Sequence, residues 1–142
     1  MRSIVVDSSV IAKWFFPDEQ ESDLALQIKE DYIKGDLLIS APLLIYYEIN
    51  NLLKTSVKSM RINRKKAFAA YNGFLNLDFI VYSQKNLLEQ ALEMAIKLDI
   101  SSYDASYIVL AEYLQSPFFT ADQKLYIRAK SKYVKKLQEY HT

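Results

Sequence analysis

Four acids stand apart from the solvated charge of this chain: Asp7, Glu48, Asp104 and Asp122. Asp7 ends the run Ile4-Val5-Val6 and is followed by Ser8 and Ser9. Three consecutive branched apolar residues read as a strand buried on both faces. A carboxylate at the carboxyl end of such a strand lies where parallel α/β sheets place their ligands. Glu48 sits inside the apolar stretch 44–53, with Asn51 one turn later on the same helix face. A lone carboxylate there is costly to bury without a partner or an ion. Asp104 follows Ser101 at capping-box spacing, and Asp122 closes Thr120-Ala121-Asp122 after an apolar pair. Each acid also has a plain structural account: Asp7 and Asp122 as helix N-caps, Asp104 as part of a cap, Glu48 on a surface stripe. The combination carries more. Clustered carboxylates repel one another, and oxygen-only clusters hold hard divalent cations, Mg2+ or Mn2+ rather than zinc. Such an ion acts as a Lewis acid and makes a bound water a better nucleophile. Asp7 and Asp104 are the best candidates for direct ligands. Glu48 and Asp122 suit a second ion or the orientation of the water.

The remaining composition excludes other chemistries. The chain has 142 residues, no cysteine, one histidine (His141) and two glycines. That inventory rules out disulfides, thiolate metal sites, a histidine triad and a glycine-rich phosphate cradle. A net charge of +1 makes the chain no general polyanion magnet. No signal peptide or membrane-length apolar run is found, so a soluble, cytoplasmic protein is expected.

The acids need elements to position them. The length favours one domain, 1–142. Strands are predicted at 3–6, 37–41, 79–82 and 118–121, alternating with helical segments, sometimes two between strands. This pattern implies a parallel sheet with helices on both faces. Helices are expected at 8–16, from the acidic run 18–21 to about 33, from Pro42 to about 60, at 63–76, 85–98 and 102–114, and after Asp122. The tail, 131–140, reads either as helix or as a last short strand near 133–135.

Val6-Asp7-Ser8-Ser9-Val10, Glu48-x-x-Asn51, Tyr103-Asp104-Ala105-Ser106-Tyr107 and Thr120-x-Asp122 together resemble the four motif regions of PIN-domain nucleases, in order and across essentially the whole chain. Lys13-Trp14-Phe15 is similar to the VapC-like, single-domain toxin branch of type II toxin–antitoxin systems. The resemblance implies an α/β/α three-layer sandwich with a five-stranded parallel sheet, and so a strand in the tail. It implies metal-dependent endoribonuclease activity leaving 5′-phosphate and 3′-hydroxyl ends, frequent homodimerisation and a cognate antitoxin. It matches Asp7, Glu48, Asp104 and Asp122 to the acidic positions, and Ser9, Asn51 and Thr120 to the polar residues that support them.

Two basic runs, 54–66 and 124–136, read mainly as solvated helix faces, with a subset near the crevice available to phosphates. Tyr46, Tyr47, Phe68, Tyr71 and Phe74, at helical spacing, read either as core or as an apolar face for a second subunit or an antitoxin helix. Competing readings are a PIN-fold RNA-processing nuclease without an antitoxin, a catalytically silent binding module, and a phosphatase or phosphoacceptor domain. The haloacid-dehalogenase type of phosphatase needs a second Asp at the position of Ser9, and a receiver-like domain needs paired acids there.

Overall fold

Ile4, Val5 and Val6 are buried at 2 % exposure or less, and the strand they form is the middle of the sheet. The computed structural model describes residues 1–141. In chain order the elements are β1 (Arg2–Val6), α1 (Ser8–Phe15), α2 (Ser22–Ile33), β2 (Leu37–Pro42), α3 (Leu44–Lys58), α4 (Arg64–Leu75), β3 (Ile80–Tyr82), α5 (Lys85–Leu98), α6 (Ser102–Leu114), β4 (Phe118–Thr120), α7 (Gln123–Ala129) and β5 (Val134–Lys136), then a 3₁₀ turn at Leu137–Glu139. The five strands are all parallel, in the order β3-β2-β1-β4-β5. The tail therefore holds a strand.

Right-handed crossovers place α1 to α4 on one face and α5 to α7 on the other, because the chain steps from β1 to β3 in one direction and from β4 to β5 in the other. The reversal lies between β1 and β4, so the crevice beyond their carboxyl ends is the switch point of the sheet. Helix α6 is the inner helix of its layer. Its residues Ala105, Tyr107, Ile108, Val109, Leu110 and Ala111 are all buried, and it packs on β1 and β2. Among the described residues no helix is long and apolar enough to cross a membrane.

Several expected boundaries shift. The acidic run 18–21 does not open a helix: α2 begins at Ser22, and Glu21 precedes it in the left-handed region at φ 61°. Pro42 does not start α3. It ends β2, paired with Tyr82, and α3 begins at Leu44. The aromatic face expected on α3 and α4 is largely core: Phe74 is buried against Tyr46, Tyr71 and Phe79, and the Tyr71 hydroxyl donates to the Tyr46 carbonyl at 2.7 Å. Only Tyr47 and Phe68 of that set are exposed. The exposed apolar stripe lies instead on α5, at Leu88, Leu92 and Ile96.

The two ends of the chain meet on α2. Asp31 is fully buried and accepts from the Tyr140 hydroxyl at 2.5 Å and the Gln27 amide at 3.0 Å. Arg2 donates to the Tyr140 hydroxyl and to the His141 carbonyl, with its guanidinium 3.8 Å from Asp31. The Tyr140 hydrogen bond holds the Asp31 carboxyl below the usual carboxylate range, against the effect of burial. Stability from a depressed carboxylate is present above its unfolded value near pH ~4 and is lost as pH falls through the folded value. Tyr140→Phe is therefore expected to lower unfolding free energy by about 1–3 kcal/mol at neutral pH. The difference should shrink in acid, as read by urea midpoints across pH; an unchanged midpoint at pH 7 would remove the clasp from the account.

Candidate metal centre

The register of the central strands builds the site. Val5 pairs with Phe118 and Val6 with Phe119, so the next residues on each strand, Asp7 and Thr120, come side by side. Asp7 is only 5 % exposed. Its Oδ1 accepts from the Ser9 amide at 3.1 Å and the Ser9 hydroxyl at 2.5 Å, and its Oδ2 accepts from the Thr120 hydroxyl at 2.6 Å. Ser9 Oγ in turn accepts from the Ala121 amide at 2.9 Å, which ties the start of α1 to the loop after β4. Thr120 Oγ1 accepts from the Asp122 amide at 3.0 Å. Asp7 and Asp122 are also the N-caps of α1 and α7, so the structural and the chemical accounts coexist in the same residues.

Glu48 reaches in from α3, half-buried, and accepts from the Tyr107 hydroxyl at 2.5 Å. Asp104 stands in the first turn of α6, where Ser101 caps the helix through the Asp104 amide. The electrostatics place the acids in one field. Burial pushes Asp7 up to about 7, the hydroxyls of Ser9 and Thr120 pull it back, and Glu48 and Asp104 add to the rise. Glu48 is raised by burial and by Asp104, against its hydrogen bonds to Tyr107 and Ser8. Asp104 is raised by burial and by Asp122. Asp122 stands at the exposed rim, coupled to the others through Asp104.

Asn51 is different. It is exposed on α3 and, among the described residues, its side chain makes no hydrogen bond to any of the acids. Tyr107 and Ser8 are the polar partners of Glu48 instead. Tyr107 lies three residues after Asp104, on the same face of α6, and that spacing was the available signal. Its hydroxyl is held neutral far above the ordinary tyrosine range by burial and by Glu48. Glu21 is the other surprise. Its Oε2 is buried without a partner among the described residues, and the side chain lines a small cavity with Thr120, Asp122 and Lys136.

The donor set fits a hard divalent ion. It is made of carboxylate oxygens, and none of the five ion pairs among the described residues involves Asp7, Glu48, Asp104 or Asp122. As the side chains stand, no three acids among the described residues are drawn close enough to grip one ion. Like charges in one crevice repel, and a bound cation lowers that repulsion.

Comparison with known proteins follows the same lines. The family model of the PIN domain matches residues 4–131. Ribonuclease VapC3 of Pyrobaculum aerophilum is 26 % identical over 126 residues, 86 % of this chain and 91 % of that protein. The crystal structure of PAE2754 from Pyrobaculum aerophilum superposes with a TM-score of 0.71 at 21 % identity, covering 96 % of this chain and 92 % of that one. A toxin-antitoxin complex from Klebsiella pneumoniae gives a TM-score of 0.60 at 15 % identity, covering 98 % and 99 %. These structural likenesses establish the shared fold.

A carboxylate whose pKa is raised by burial costs stability once it ionises. The cost is absent near pH 4, grows as pH rises, and is complete above about 7. In metal-free buffer Asp7→Asn should therefore be more stable than the parent at pH 8, by about 1–3 kcal/mol. The two should converge towards pH 4. Thermal melts in chelator across this range measure it; a variant less stable than the parent at pH 8 would contradict the assigned environment of Asp7.

Proposed function

The chain belongs to the PIN domain family, and we propose that it is a divalent-metal-dependent endoribonuclease, the toxin of a toxin–antitoxin pair, working in the cytoplasm. The observation that carries this reading is the Asp7 carboxylate, raised chiefly by burial and further by Glu48 and Asp104, with no cationic side chain paired to it. The ribonuclease name of the Pyrobaculum relative and the toxin-antitoxin title of the Klebsiella structure support the same reading.

Asp7 and Asp104 would hold the ion, Mg2+ or Mn2+, with Glu48 and Asp122 completing its surroundings. When bound, the ion supplies Lewis-acid polarisation of the phosphodiester and a more acidic water. The protein's own groups do the rest. Ser9 and Thr120 fix both oxygens of Asp7 and hold its carboxylate in one orientation. Tyr107, neutral and buried, donates to Glu48 and fixes one of its oxygens. Glu48 and Asp122 would hold a second ion or orient the attacking water.

Partners follow from two surfaces. The groove between α3 and α4, about 260 Å3, is floored by Leu53, Val57 and Phe68 and edged by Lys54 and Arg64. It suits an apolar segment with acidic neighbours, as an antitoxin tail would supply. The α5 stripe suits a second copy of this chain. Antiparallel pairing about a two-fold at Leu92 sets Leu88 against Ile96, and these three residues lie on one face of the helix.

Asp104→Asn and Asp7→Asn should each cut Mn2+-dependent RNA cleavage about 100-fold or more while the fold persists, and Tyr107→Phe about 10- to 100-fold. Full activity in a folded Asp104→Asn variant would sink the metal assignment. Because the chain has no cysteine, Leu92→Cys reads the two-fold directly. It should oxidise to a disulfide-linked dimer, whereas Leu88→Cys alone should not; a Leu92→Cys chain that stays monomeric under oxidation would reject this interface.

A further inference from the structure

A second polar stripe leaves the acidic centre along α3. Glu48, Asn51 and Thr55 follow one another at turn spacing, about 10 Å from first to last. They form one wall of an open groove of about 390 Å3, whose other wall is Ser8 and Ala12 of α1 with Phe16 just beyond its end. That size suits one small ligand group. The groove begins at Glu48 and ends at Arg61. Among the described residues the Asn51 amide and the Thr55 hydroxyl carry no hydrogen bond, so their donors and acceptors are open to a ligand.

Arg61 closes the far end in an unusual way. Its guanidinium donates to Glu19 at 3.0 Å through Nη1 and to both oxygens of Asp18, at 3.1 and 3.0 Å, through Nη2. It lies over the Phe16 ring, with Cζ 3.8 Å from the centroid. Guanidinium donors lie in the plane of the group, so the two carboxylates fix that plane. One face is spent on Phe16. The other faces out, and the side chain remains 40 % exposed. The cluster of Arg61, Lys13, Asp18 and Glu19 carries no net charge, so it offers no surplus cation to a phosphate. A flat, cationic, immobilised face favours a nucleobase, which stacks on arginine as it does on an aromatic ring.

We propose that this groove is the subsite for a nucleotide flanking the scissile bond of a single-stranded RNA. Its base stacks on the outer face of Arg61, and its sugar edge meets Asn51 and Thr55. The proposal rests on the ribonuclease reading and extends it, since it assigns sequence-tolerant single-strand binding to one wall of the crevice. Phe16 is the buried support, and Asp18 and Glu19 are positioning residues that hold the platform level.

The test uses a synthetic single-stranded RNA with a mapped cleavage site and 2-aminopurine placed in turn at each nucleotide flanking it. With the unmodified protein, 2-aminopurine at one flanking position should be quenched on mixing, before turnover. Arg61→Lys keeps the charge and loses the plane. It should abolish that quenching and raise KM about fivefold or more, with kcat within about twofold. Asn51→Ala combined with Thr55→Val should raise KM in the same way, and serves as the test should Arg61→Lys not fold. Unchanged KM and quenching in folded variants, with the parent cleaving normally, would overturn the subsite and leave the nuclease reading standing. Loss of affinity for an antitoxin peptide with RNA kinetics untouched would assign the groove to that peptide and overturn the proposal. A parent chain that cleaves no RNA in Mn2+ would remove the reading beneath it as well.

Discussion

A carboxylate sealed at the end of the central strand, held by two hydroxyls and answered by no positive side chain, is the constraint on which the rest depends. Burial first, and then two neighbouring acids, push the Asp7 pKa upward. Removing charge from water costs several kcal/mol unless something offsets it. The hydroxyls of Ser9 and Thr120 offset part. The remainder is left for an ion, and the crevice keeps acids as neighbours of Asp7 rather than a lysine or arginine.

That arrangement follows from the sheet. Reversal of strand order between β1 and β4 opens a crevice, and the one-to-one register of those strands sets Asp7 beside Thr120. The helix layers meet only beyond the strand ends, which is how Glu48 on one face and Tyr107 on the other share a hydrogen bond. The same geometry leaves a channel between α1 and α3, and the loop of residues 17–21 closes it with Asp18 and Glu19. Acidic centre and groove are thus consecutive parts of one surface.

Much of this was legible in the residues. The buried run Ile4–Val6 ending in an acid, the alternation of strands with helices, and the caps at Asn63, Ser101 and Asp122 all express local rules that tertiary packing did not override. The motif resemblance supplied what local rules do not, the strand at 134–136. The misses share a cause. The acids at 18–21 look like a helical first turn, but two of them are drawn to Arg61, 42 and 43 residues away in sequence. Tyr46, Tyr71 and Phe74 look like an interface stripe, but Phe79 from β3 folds into them. Asn51 has the spacing to support Glu48, yet Tyr107 from another helix takes that place. In each case a contact distant in sequence, invisible to periodicity, decided the outcome.

Crystals of the chain soaked in Mn2+ and measured at the manganese absorption edge test the central claim most directly. The account predicts an anomalous peak in the crevice within about 2.2 Å of carboxylate oxygens of both Asp7 and Asp104, with Glu48 and Asp122 drawn inward from the positions they hold here. A crevice without such a peak, at a Mn2+ concentration that supports RNA cleavage in solution, would contradict it.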